Sequence, residues 1–187
     1  VEEFNFSVLR HFPFASFEMK NVVIEEVSPG EIKDTLLFSN RLSLLFSITD
    51  VFSKDIKVKK ILVSGGNINI RIDSTGHGNY HFWKKSKDAS ASGAIDIERI
   101  GLKKVYLKYN DRKAHQDYAM LANDAELSGK FSSNEFSLKT KADLFVDQLN
   151  VHNVNYVNHK PVTIISGLNI NSKTGLYTFD ESHVRIA

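Results

Sequence analysis

The stretch Phe136-Ser-Leu-Lys-Thr-Lys-Ala-Asp-Leu-Phe-Val146 decides the fold class of this chain. The even-numbered positions of this stretch are apolar or Thr. The odd-numbered positions are polar (Ser137, Lys139, Lys141 and Asp143), except for Phe145. Alternation with a period of two puts successive side chains on opposite faces of a β-strand. The stretch is about twice the usual strand length of roughly five or six residues. The sequence therefore predicts a long strand with one apolar face.

The same alternation appears in two shorter stretches, at Val105, Leu107 and Tyr109 and at Ile68, Ile70 and Ile72. Glycine and asparagine clusters, such as Gly65-Gly66-Asn67, divide the chain at short intervals and favour tight hairpins. These patterns predict a mainly β fold, a long meander of antiparallel hairpins forming a curved sheet that can remain open. One or two short helices are also expected, at residues 47–54 and around Glu2–Arg10.

The segment 84–94 (KKSKDASASGA) has no apolar period and is expected to be a flexible linker or loop. It separates an N-terminal β segment, 1–83, from a second β segment, 95–187, which is expected to continue the same sheet. The pattern that begins at Val58 returns at Ile97, 39 residues later. A repeat of this size is typical of sheets that grow by the addition of similar units.

Composition excludes several classes of protein. The 187 residues contain no cysteine, so the chain is neither a disulfide scaffold nor a Cys-based metal module. A net charge of +2, without clustered basic residues, does not predict nucleic-acid binding. The most apolar uncharged stretch, Leu42–Thr49, is far shorter than the ~20 residues of a membrane-spanning helix. Because the sequence opens at Val1 without a methionine, we expect a processed segment.

Residue patterns that carry chemistry are scarce. His77 and His81 have metal-ligand spacing only on a helix, and Gly78 between them disfavours one. The carboxylates of Glu25 and Glu26 are adjacent, so on a strand they point to opposite faces and cannot work as an acid/base pair. Nothing in the sequence places the seven histidines together. We therefore expect a protein that is not an enzyme, with no catalytic residue, no metal ligands and no cofactor.

The apolar side of long strands must meet another sheet or a ligand when few helices are present to cover it. The first alternative is a closed β core, and the second is a groove that holds acyl chains. For the groove, the alternation predicts the following lipid-contact candidates: Val105, Leu107, Tyr109, Phe136, Leu138, Leu144 and Val146.

Four segments, taken in order, resemble the AsmA family of outer-membrane biogenesis and bridge-type lipid-transfer proteins, and its Bacteroidetes-type members in particular. The likeness covers about residues 12 to 130. The segments are Phe12–Val22, with its FPF opening; Thr35–Leu44; Ile61–Asp73, followed by GHGNY at 76–80; and Ile100–Asp111.

This resemblance implies an envelope protein of a Gram-negative bacterium, anchored in the inner membrane and projecting into the periplasm. It also implies stacked hairpins that form a gutter with an apolar floor, phospholipid or another lipid as ligand, and other envelope proteins as partners. The family's N-terminal anchor helix is absent from this sequence. The family brings no catalytic residues.

Two functional hypotheses follow from the sequence. In the first, the chain is a periplasmic module that guides phospholipid along an apolar β groove. In the second, it is a non-enzymatic envelope scaffold or adhesion module with a sealed core, which binds proteins through its strand edges or loops. A hydrolase on a β scaffold would need a cluster of acidic residues or histidines, and the sequence shows none.

Overall fold

Nine β-strands make up nearly all of the chain that the computed structural model describes, which is residues 1–26, 34–51, 58–80, 97–129, 135–171 and 176–187. In chain order, the strands are β1 (Glu3–His11), β2 (Phe14–Glu25), β3 (Thr35–Ser47), β4 (Val58–Ile72), β5 (Arg99–Asp111), β6 (Gln116–Gly129), β7 (Glu135–Val151), β8 (Val154–Asn171) and β9 (Leu176–Ile186). A one-turn helix, α1 (Ile48–Val51), follows β3.

All nine strands belong to one open sheet, in the order β1 to β9. The predicted mainly β meander is thus confirmed. Each strand runs antiparallel to its neighbours, except that β4 and β5 are parallel. The exception has a simple cause, since the connection from Ile72 to Arg99 is long enough to carry the chain back to the end where β4 began. The expected linker 84–94 falls in this connection and lies outside the described residues.

The helix expected around Glu2–Arg10 is wrong, because this segment forms β1 and pairs with β2. Phe4 and Phe6 alternate along β1, and both rings pack against Phe17, with ring centroids 5.1 and 5.0 Å apart. This packing on a neighbouring strand outweighs the weak local helix signal. Of the helix expected at 47–54, only α1 falls among the described residues.

A row of paired residues crosses the whole sheet with an apolar side chain in every strand. Its members, from β1 to β9, are Phe4, Met19, Leu42, Val63, Leu102, Ala125, Ala142, Ile164 and Val184. Paired residues in a sheet point to the same side, so these nine side chains share one face. We call it the apolar face.

The other side of the sheet is mixed in character. The neighbouring row is Asn5, Glu18, Ser43, Leu62, Gly101, Glu126, Lys141, Ile165 and His183. Since six of these nine are polar or charged, we call this side the polar face. A contrast of this kind between faces is usual for an antiparallel sheet with one wetted side.

A line of inserted residues, the bulge row, crosses β2 to β6. Its members are Asn21, Asn40, Gly65, Lys104 and Asn123, and the register pairs skip each of them. A second row on the apolar face follows it: Val22, Ser39, Gly66, Val105, Ala122, Leu144, Val162 and Ile186. Since β2 to β6 each carry one extra residue on this line, these strands keep their mutual register across it. Along this line the register shifts where β6 meets β7, between Ala122 and Asp124, as in a β-bulge.

Glycine is required where the bulge row crosses β4. A side chain on Gly66, where φ is +122°, would place its Cβ 2.0 Å from the carbonyl oxygen of Phe38. Gly65 also has a positive φ, +65°, and a Cβ there would lie 2.5 Å from the Asn40 amide nitrogen. The close approach of β3 and β4 thus requires Gly66, which faces backbone, whereas Gly65 faces the mobile end of the Asn40 side chain and is favoured by its φ alone.

Candidate functional site

The apolar face is the most extensive feature that a ligand could use. Its buried residues form one contiguous cluster that runs from Val22 on β2 to Val162 on β8. Substantial contacts between described elements join only strands that are neighbours in sequence, while α1 touches β2 and β3. Among the described residues, therefore, no second sheet or helix layer covers the apolar face.

The predicted lipid-contact residues fall on β5 and β7. Three of them, Val105, Leu144 and Val146, are buried in the cluster beneath their neighbours. Three others, Leu107, Tyr109 and Leu138, are half-buried and present part of their surface at the face. The backbone of Phe136 pairs with that of Ile170 in β8, and its side chain lies outside the described part of the chain. The half-buried residues are therefore the ones that can touch a ligand directly.

A shallow cavity of ≈ 320 Å³ lies on the apolar face over β4, β5 and β6. Predicted residues Leu107 and Tyr109 line it together with Ile70, Tyr118 and Met120. The last three were not among the predicted contacts. Their alternation was visible in the sequence, but the sequence does not show that β6 pairs with β5.

Two stacked tyrosines form one wall of this cavity. The rings of Tyr109 and Tyr118 have centroids 5.3 Å apart and planes inclined by 20°. Burial raises the pKa of both phenols, and for Tyr109 the hydrogen bond that its hydroxyl donates to Asp111 Oδ2 (3.2 Å) raises the pKa further. Both phenols are therefore uncharged at neutral pH, and the wall offers flat, weakly polar surface.

Aromatic side chains continue the apolar face to the β1 edge. Phe17 contacts Phe4, Phe6 and Phe46, the last edge-to-face at 5.2 Å. Phe4 and Phe6 remain 61% and 48% exposed, because an edge strand has a neighbour on one side only. The face is thus open to solvent at its edges and tightly packed at its centre.

The polar face carries two cavities that are lined by charged side chains. One, of ≈ 440 Å³, is lined by residues that include Glu126, Lys139, Lys141 and Asp180. The other, of ≈ 530 Å³, is lined by residues that include Arg71. Acidic and basic side chains mix in both, since Asp34 and Asp117 line the second cavity with Arg71.

No group of three or more His, Asp or Glu side chains in the described ranges could hold a metal ion. Asp73 accepts hydrogen bonds from Thr75 and His77 within its own turn, and the Thr75 hydroxyl is the main cause that lowers its pKa to about 2. His77 is exposed in this turn, whereas His81 lies outside the described residues. The described helix, α1, is too short to cross a membrane.

No protein-family model matches this chain, and no curated protein matches it at a significant level.

Proposed function

We propose that this chain is a lipid-groove module that holds or guides the acyl chains of phospholipid along its apolar face. Together with the AsmA resemblance, the proposal extends to a periplasmic, inner-membrane-anchored protein in outer-membrane biogenesis. The observation that carries it is the unbroken apolar row across nine strands, with no second layer over it among the described residues.

The dimensions support this proposal. Nine strands spaced about 4.8 Å apart span roughly 40 Å across the sheet. Half of a bilayer's hydrocarbon core is only about 15 Å thick, so an acyl chain fits within the face along the strand order. Each methylene that leaves water for an apolar surface contributes about 0.8 kcal/mol. A face of this length can therefore retain a lipid without directional contacts.

The test is native mass spectrometry of the purified protein, combined with organic extraction and lipid analysis. We expect phospholipid to co-purify at a defined ratio. Leu138→Asp places a charge among half-buried residues of the apolar face and should abolish lipid retention. Ile165→Asp is the matched control, because Ile165 is an exposed aliphatic residue on the polar face, and this variant should retain lipid.

Folding of both variants is checked by circular dichroism and urea denaturation. If Leu138→Asp does not fold, Leu138 belongs to a sealed core, and Leu107→Asp then tests the face at the ≈ 320 Å³ cavity. Lipid-free wild-type protein, or equal lipid retention by folded Leu138→Asp and Ile165→Asp, would refute the groove.

A second candidate, an envelope scaffold that binds proteins by strand addition, is favoured by the strand edges. Strand β9 pairs with β8 only from Val162 onward, so among described residues the outer edge of 154–160 has no strand partner. Edges of this kind can accept a strand from another protein. The lipid experiment separates the two candidates, because a scaffold would fold normally and carry no lipid.

A further inference from the structure

We propose that His115 and His152 together bind a divalent transition-metal ion of the zinc, nickel and copper class. The proposal is independent of the lipid groove, because both histidines lie in turns at one end of the sheet.

The fold brings the two histidines together through the pairing of β6 with β7. His115 ends the turn that leads into β6, and His152 begins the turn that leaves β7. The first residue of β6, Gln116, pairs with the last residue of β7, Val151, so the two histidines are neighbours beyond the end of the ladder. The backbone N–H of His152 donates to the carbonyl oxygen of His115 at 2.8 Å, which holds the two turns together.

The separation of the two rings is compatible with two nitrogen ligands on one ion. The two imidazole centroids are 5.8 Å apart, and the ring planes are inclined by 43°. An ion bonded to one nitrogen of each ring at about 2.0–2.1 Å, with a tetrahedral or wider angle between the bonds, would place the centroids roughly 5–6 Å apart. The observed separation falls in this range before any side-chain adjustment.

Both imidazoles are available for binding. His115 and His152 are exposed, and the contact recorded for their rings is the one with each other. An ion between the two rings would therefore be reached from solvent.

Both histidines have a left-handed backbone conformation. His115 has φ +53° and His152 has φ +48°, in the left-handed region where glycine is unstrained. His152 and Asn153 both have positive φ, as in a type I′ hairpin turn, where Asn-Gly is the preferred pair. His159 shares this conformation, with φ +50°, so a left-handed backbone is not particular to the two paired histidines.

Two cationic residues, Arg112 and Lys113, lie in the same turn as His115. The Lys113 ammonium lies beside Gly76, which follows β4. No third acidic or histidine ligand joins the pair among the described residues. Water would complete the coordination, and affinity should follow the general order for nitrogen ligands, with Cu²⁺ bound more tightly than Ni²⁺ or Zn²⁺.

The test is isothermal titration calorimetry of the full chain, without a polyhistidine tag, against Cu²⁺ and Ni²⁺ salts. We expect one ion per chain. His115→Asn and His152→Asn should each weaken binding by at least about tenfold, since loss of even a supporting contact around a metal ligand costs that much. His77→Asn removes an exposed histidine from another turn and should bind like the wild type.

Thermal unfolding gives a second readout. An ion that binds only the folded protein raises the unfolding temperature as its concentration rises, in the wild type and in His77→Asn but in neither site variant. Absence of binding at micromolar ion concentrations, or equal affinity in the wild type and both site variants, would overturn the proposal.

Discussion

Glu26 shows how a single buried charge is held in this sheet. It follows β2 and is 7% exposed. Arg71 Nη2 donates to its Oε2 at 2.6 Å, and Asn79 Nδ2 donates to the same oxygen at 3.0 Å. Burial raises the pKa of the Glu26 carboxyl, but these two donors and the Arg71 charge lower it by more, so the pKa lies below its ordinary value of 4.5. The carboxylate thereby ties the end of β2 to β4.

The lowered pKa predicts a pH dependence of stability. Because the pKa of Glu26 is lower in the folded than in the unfolded protein, its stabilisation is present above about pH 4.5 and is lost as the pH falls through the folded-state pKa. The urea midpoint of the wild type should therefore fall more between pH 7 and pH 3 than that of Glu26→Gln. Glu98→Gln, which changes a half-exposed carboxylate, is the control and should follow the wild type. Equal pH dependence in the wild type and Glu26→Gln would contradict the prediction.

At the scale of elements, the sequence predicted where strands form. It did not predict the extra residues within them or the parallel pairing of β4 with β5. The alternation from Phe136 to Val146 predicted the centre of β7, which the structure extends to Glu135–Val151. The bulge row was not predicted, because one inserted residue shifts the period-two pattern and looks like noise in a single strand. The row becomes visible only when the strands are aligned by their pairing, because Asn21, Gly65 and Lys104 then fall on one line across the sheet. The parallel pairing of β4 and β5 was missed for a similar reason, since alternation carries no information about strand direction.

The bulge row predicts opposite effects for two adjacent lysines. Lys104 is exposed with φ +54°, whereas Lys103 lies in the ladder between Ser64 and Asp124. Lys104→Gly should raise the free energy of unfolding by up to about 1 kcal/mol, because glycine adopts a left-handed backbone without strain. Lys103→Gly should lower it by about 0.5–1 kcal/mol, because glycine in a strand loses more conformational entropy on folding. Urea denaturation of both variants measures the difference, and effects of the same sign would show that Lys104 carries no backbone strain.

At the scale of the whole molecule, residue patterns predicted an apolar face but not the contacts that only pairing creates. Tyr109 and Tyr118 stack because β5 and β6 are in register at this point. His115 and His152 meet because two turns lie at the same end of neighbouring strands. Neither contact has a local sequence signal. The apolar alternation, by contrast, is repeated strand by strand and could be read without the fold.

The parallel pairing of β4 and β5 predicts that the chain behaves as one unit despite the long connection between these strands. Twelve register pairs join them, and Val63 pairs with Leu102 inside the contiguous apolar cluster. A protease site inserted in 84–94 and then cleaved should leave the two pieces associated, with a single urea transition. The reason is that separating them would expose the paired edges of β4 and β5 and part of the cluster to water. Native mass spectrometry of the cleaved protein is the measurement, and the uncleaved insertion variant is the control. Separation into two folded pieces would instead show that the segments on either side of 84–94 are independent domains, each able to fold without the other's strands.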